Sequence, residues 1–117
     1  MPSENAVPNT LYTETGGLRW GSSFTFGYNV TFPFARLTAD ECFLNIEVTS
    51  FLPLEQLSFS VRLKLNDVLR ISKQRGIFGA GVRIEHRGSD IPRCLVFWSF
   101  SPKALLKKLS DLGYPVA

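Results

Sequence analysis

A chain of 117 residues that is 44% hydrophobic and 20% charged can bury one core without disulfide staples, which excludes a disordered chain and argues for one domain. Its 13% aromatic content, with ten Phe spread along its length, favours strands over a helical bundle. The net charge of +3 hides an asymmetry: residues 1–61 sum to −4, and from Arg62 onward the sum is +7. Such a basic half marks either a solvated face or a partner of opposite charge.

No stretch approaches the roughly 20 apolar residues needed to cross a bilayer, and the first residues carry no basic-then-apolar leader, so a cytoplasmic location is expected. Cys42 and Cys94 lie far apart without metal-ligand spacing and read as reduced core thiols. No metal site or cofactor is expected.

Residues 1–17 mix Pro, Ser, Asn, Thr and Gly with few apolar anchors and read as a flexible tail, leaving 18–117 as the domain. Ser22 to Tyr28 and Thr31 to Leu37 read as two early strands broken near Gly27 and Asn29. Across Gly16 to Tyr28, Trp20, Phe24, Phe26 and Tyr28 fall at even positions, an alternation that suits core fillers or an interface. Thr38 to Glu41 forms a polar turn. Cys42 to Val48 then alternates, with Cys42, Leu44, Ile46 and Val48 on one side.

Leu57 to Leu63 alternates strictly between apolar residues and Ser58, Ser60 and Arg62, giving one core face and one wet face. Asn66-Asp67 turns the chain into Val68 to Lys73. The Gly-rich segment Arg75 to Gly81 leads to Val82 to Arg87, where Val82, Ile84 and His86 share one face. Gly88 to Pro92 turns again before the apolar strand Cys94 to Trp98.

The end of the chain predicts one helix. Ser101 stands at the N-cap and Pro102 at the first helical position. Leu105, Leu106, Leu109 and Leu112 make an apolar stripe, Gly113 stands at the C-terminal cap, and Pro115 forbids continuation. About seven short strands closed by one helix form a mainly β fold, an antiparallel barrel or curved sandwich.

Arg75-Gly76-Ile77-Phe78, Gly81 to Arg87, Val96-Phe97-Trp98, Ala104-Leu105-Leu106 and Leu112-Gly113-Tyr114 together resemble small bacterial proteins with a pleckstrin-homology-like fold. The resemblance covers residues 20–115. It implies a partly open barrel of about seven antiparallel strands, arranged as two nearly orthogonal sheets and capped at one end by the C-terminal helix. Lipid-binding members of that fold carry a basic motif between their first two strands. The matching place in this chain, near Thr38 to Glu41, is acidic, which argues against inositol-phosphate binding there.

No catalytic constellation emerges, and the chain is read as a non-enzyme. His86, the lone histidine, stands in phase with Val82 and Ile84 as a core residue, and no Ser occupies a strand-to-helix elbow. Gly76, Gly79 and Gly81 lead into a strand, so no helix N-terminus stands ready for a phosphate. The candidate binding residues are Lys73, Arg75, Arg83 and Arg87, with Ile77 and Phe78 at the loop tip between them. An apolar tip flanked by cations suits a protein partner, self-association or peripheral contact with anionic lipid or another phosphate-bearing ligand. Ile77 and Phe78 fit equally as a cap folded onto the core. Phe and Trp stand inside strands rather than among exposed cations, which argues against nucleic acid as the partner.

Overall fold

The structure, a computed structural model, describes residues 11–23, 27–48, 59–76 and 79–117. Seven strands run β1 (Tyr12–Gly21), β2 (Gly27–Ala39), β3 (Phe43–Val48), β4 (Phe59–Lys64), β5 (Val68–Arg75), β6 (Ala80–His86) and β7 (Cys94–Ser99), and helix α1 (Pro102–Asp111) follows. All seven lie in one antiparallel sheet ordered β4-β3-β2-β1-β7-β6-β5. Strands β4 and β5 are therefore consecutive in sequence yet stand at opposite edges. Only the single 3-10 turn Leu65–Asp67 joins them, a link that reaches no more than about 14 Å when fully extended. The sheet must curl to bring these edges together, and the result is a half-barrel. The turn is pinned on both sides: Leu65 N–H donates to the Cys42 carbonyl at 2.8 Å, and Arg87 N–H donates to the Asp67 carbonyl at 2.9 Å.

The alternation read from the sequence sets the inner face. Leu44, Ile46 and Val48 of β3, Val61 and Leu63 of β4, Val82 and Ile84 of β6, and Leu95 and Phe97 of β7 are buried in one cluster. Helix α1 closes one mouth with Leu105 and Leu109, both fully buried, while Leu106 and Leu112 pack at its margin. Gly113 takes φ +106° after the last turn, the left-handed cap that glycine tolerates best. Tyr114 is then buried, and its hydroxyl donates to the Asp40 carbonyl at 2.8 Å.

Several expectations need correction. The boundary at Gly17 falls inside β1: Tyr12 to Gly16 pair with Ala39 to Ala35 of β2, so a polar sequence is held as strand by a long-range partner. The segment Ser22 to Tyr28 is not one strand: Ser22 and Ser23 lie past β1, Gly27 and Tyr28 begin β2, and 24–26 lie outside the described residues. Gly21 pairs with Gly27, and the chain reverses between them, because strand pairing rather than local aromatic content decides where it turns. The link between the first two strands therefore lies at residues 22–26, whereas Thr38 to Glu41 leads from β2 to β3. In that later turn the Asp40 carboxylate accepts from the N–H groups of Cys42 and Phe43, each at 2.8 Å. This places Cys42 in the turn and leaves it exposed. Trp20 is buried, but Tyr28, stacked on it at 5.6 Å, is 64% exposed; Phe24 and Phe26 lie outside the described residues. Ser101 makes no side-chain cap; its own N–H donates to Ser99 Oγ at 3.0 Å.

Strand β7 is apolar from Cys94 to Trp98, and from Cys94 to Phe97 it is buried on both faces. Leu95 and Phe97 face the core, and Cys94 and Val96, in the opposite phase, are also buried. Neighbouring strands approach it through glycines, since Gly17 and Gly81 both pair with Trp98. A Cβ on Gly81 would run into the Phe97 carbonyl oxygen, whereas one on Gly79 meets nothing within 4 Å. Gly81→Ala is thus expected to lower the midpoint of thermal unfolding by roughly 5–10 °C. Gly79→Ala should leave it within about 2 °C, and circular dichroism melts of the two variants provide the comparison.

Candidate functional site

The β5–β6 hairpin carries the residues that the sequence singles out. Arg75 pairs with Ala80, and Gly76 N–H donates to the Gly79 carbonyl at 2.8 Å to close the turn. Ile77 and Phe78 lie outside the described residues. The cations around this turn do not form one patch. Lys73 is opposite Val82, and Arg83 is opposite Ser72. Residues directly opposite share a face and successive residues alternate. Lys73 and Arg75 therefore follow the phase of the inner face, while Arg83 stands on the outer face; all three are exposed. Arg87, also exposed, lies past the end of β6 at the far end of the hairpin. The pleat divides the group.

On the outer face, Arg83 belongs to a row of directly opposed residues that crosses five strands: Asn29, Arg19, Val96, Arg83 and Ser72. Burial raises the Cys94 thiol above its usual range, and the nearby Arg83 and Arg19 guanidinium groups oppose that rise only in part. The next row sets Trp98 between Gly17 and Gly81. Its indole Nε1–H donates to Asn29 Oδ1 at 2.8 Å.

Beside Trp98 the structure displays two aromatics that sequence reasoning missed. Between the pairs Gly16–Ala35 and Leu18–Val30, β1 holds one residue, Gly17, and β2 holds four, Thr31 to Phe34. The surplus loops out as a bulge, within which the Phe32–Pro33 peptide is cis. The bulge also reverses the phase of β2, which turns Val30 toward the core before it and Ala35, Leu37 and Ala39 after it. Phe32 is left 50% exposed and meets the ring of Phe100, itself 79% exposed, edge to face at 4.9 Å.

Phe100 is held out by its neighbours. Ser99, buried and inward, donates to the Glu14 carboxylate and accepts from Ser101 N–H. With both flanking residues fixed and side chains alternating across the strand, Phe100 turns to solvent. In sequence the signal was a Phe placed between an inward serine and the start of a helix, which nothing local could distinguish from a core residue.

Glu14 anchors this corner. Its second oxygen accepts from the Tyr12 hydroxyl at 2.9 Å. His86, by contrast, is occupied as a structural residue: it is buried, Gly88 N–H donates to Nδ1 at 3.0 Å, and Nε2 lies 2.8 Å from the Pro92 carbonyl. That arrangement fixes the Nε2–H tautomer. Among the described residues, no three His, Cys, Asp or Glu side chains gather as metal ligands would, and no helix is long and apolar enough to cross a membrane. The chain matches neither a protein-family model nor a curated protein sequence.

Burial, with smaller help from Glu14, pushes the Tyr12 phenol from 10.0 up to about 12. A raised acid is favoured in its neutral form by folding, so its contribution is complete below pH 10 and lost as pH climbs through about 12. Stability should accordingly fall over that alkaline window. Glu14→Gln should shift the Tyr12 transition back toward 10, as read by ultraviolet titration of tyrosinate.

Proposed function

We propose that this chain is a non-catalytic interaction module of the pleckstrin-homology-like kind, which works in the cytoplasm by self-association or by binding a protein partner. The observation that carries this reading is the Phe32–Phe100 pair. Two large aromatics on separate elements are held against each other in solvent, one on a strand bulge and one at a strand-to-helix junction fixed by Ser99 and Glu14. Exposed aromatics held in place lose little entropy on contact, and they dominate interface energetics. The half-barrel is compatible with this reading, since function lies in what a fold displays rather than in the fold itself.

The other reading is peripheral binding of anionic lipid or a phosphate-bearing ligand. It keeps Lys73 and Arg75 but loses Arg83 to the opposite face, so fewer cations converge than the sequence promised.

Light scattering coupled to size exclusion, on the full chain and on Phe32→Ser/Phe100→Ser, tests the leading reading. The expected result is a defined oligomer that the double variant reduces to monomer. A monomeric wild type directs the test to a separate partner, sought by photo-crosslinking from position 100 in cells. An oligomer indifferent to the variant, or a monomer that crosslinks to no protein, overturns the reading.

A further inference from the structure

The outer face of the sheet sets one fixed ring beside two cations, and the interaction reading uses none of the three. In sequence Trp98 stands inside a strand, apart from the exposed cations, but the register brings it one row from two of them. The first row runs Asn29, Arg19, Val96, Arg83 and Ser72, and the next runs Gly17, Trp98, Gly81 and Gln74. Adjacent strands lie about 4.8 Å apart, so the Arg19 and Arg83 backbones are separated by roughly 10 Å, and Trp98 stands roughly 7 Å along β7 from the Val96 between them. Both guanidinium groups act on the Cys94 thiol, which keeps the two charges close to β7. Val96 is fully buried although it lies outside the core cluster, so the floor between the arginines is closed and apolar.

The indole is held at opposite edges. Nε1–H donates to Asn29 Oδ1 at 2.8 Å, and the Gly76 backbone lies so near the other edge that a Cβ there would meet Cζ3 at 2.8 Å. Gly17 and Gly81 contribute no side chain beside it, and the ring remains partly exposed. The remaining members of both rows are uncharged, and Glu85, the acid in the outer phase of β6, stands directly opposite Arg70. A fixed aromatic face and two planar cations fit a ligand that carries flat rings and anions in one chain. Going beyond the interaction reading, we propose that this outer face binds single-stranded nucleic acid, with a base laid on the Trp98 indole and phosphates held by Arg19 and Arg83. Stacking on an indole tolerates any base, guanidinium groups match phosphate oxygens two at a time, and a ring already fixed in place loses little freedom on contact. An acidic protein segment would occupy the arginines without supplying a ring at every repeat.

The test titrates the nitrogen-15-labelled full chain at low salt with a thymidine strand of about eight nucleotides. An abasic strand of the same length keeps the phosphates and removes the rings. The expected result is saturable movement of the Trp98 indole N–H signal and of the Arg19 and Arg83 amides, with affinity at least tenfold above the abasic strand. Arg19→Gln/Arg83→Gln should lower the affinity at least tenfold and flatten the slope of log affinity against log salt by about 1.4, the value for two phosphates of a single strand. The spectrum of that variant reports whether it is folded; if it is not, Arg83→Gln alone replaces it, with a slope change of about 0.7. Equal affinity for the thymidine and abasic strands overturns the proposal, as does a polyglutamate peptide that matches the thymidine strand, since the face then reads charge alone. Signal movement confined to residues outside the two rows, or no movement at low salt, overturns it too. So does movement of the same signals by vesicles of anionic phospholipid when the thymidine strand moves none, and the arginines then belong to a lipid surface.

Discussion

The pairing of β1 with β7 is the contact on which the half-barrel depends. It joins the first strand to the last and so unites two meanders, β1 to β4 and β5 to β7, into one sheet. Because the three-residue turn Leu65–Asp67 tethers the two free edges, that sheet can satisfy its connectivity only by curling. Curling in turn leaves a mouth, and α1 with Tyr114 fills it. The close fit along β7 explains why glycine flanks it on both sides and why its residues from Cys94 to Phe97 are buried whichever way they point.

The candidate surface grows out of the same constraint. Where β1 meets β7 at Gly17, the partner strand β2 carries four residues against one, and the excess is expelled as a bulge because the buried ladder cannot hold it. At the same level β7 ends, and the Glu14–Ser99–Ser101 chain of hydrogen bonds fixes how the chain leaves it. Phe32 and Phe100 are thus exposed by two independent terminations that meet in space. Exposing both rings withholds apolar area from the core and leaves it displayed on the surface.

Electrostatics follow the pleat rather than the sequence. A run that reads as one basic cluster is divided between the inner phase, with Lys73 and Arg75, and the outer face, with Arg83. Arg19, from the acidic half of the chain, joins Arg83 across Val96. The outer face therefore sets two guanidinium groups about a buried residue, and β5 sets two flexible cations in the opposite phase.

Much of this protein was legible in its residues. Alternation identified β3, β4 and β6 with inner faces at Leu44, Ile46 and Val48, at Val61 and Leu63, and at Val82, Ile84 and His86; Leu57 and Ser58 lie outside the described residues. The leucine stripe with Pro102 and Gly113 defined α1, and the phase of His86 placed it in the core. These features are local, set by a period of two or 3.6 and by caps within a turn. The sequence alone did not determine that Tyr12 to Gly17 is strand, that the first hairpin turns between Gly21 and Gly27, that Phe32 and Phe100 meet in solvent, or that Lys73 and Arg83 part company. Each of those depends on which residue lies opposite which across strands far apart in the chain. Register is decided by the packing of the whole sheet, and a shift of one residue sends a side chain to the other face.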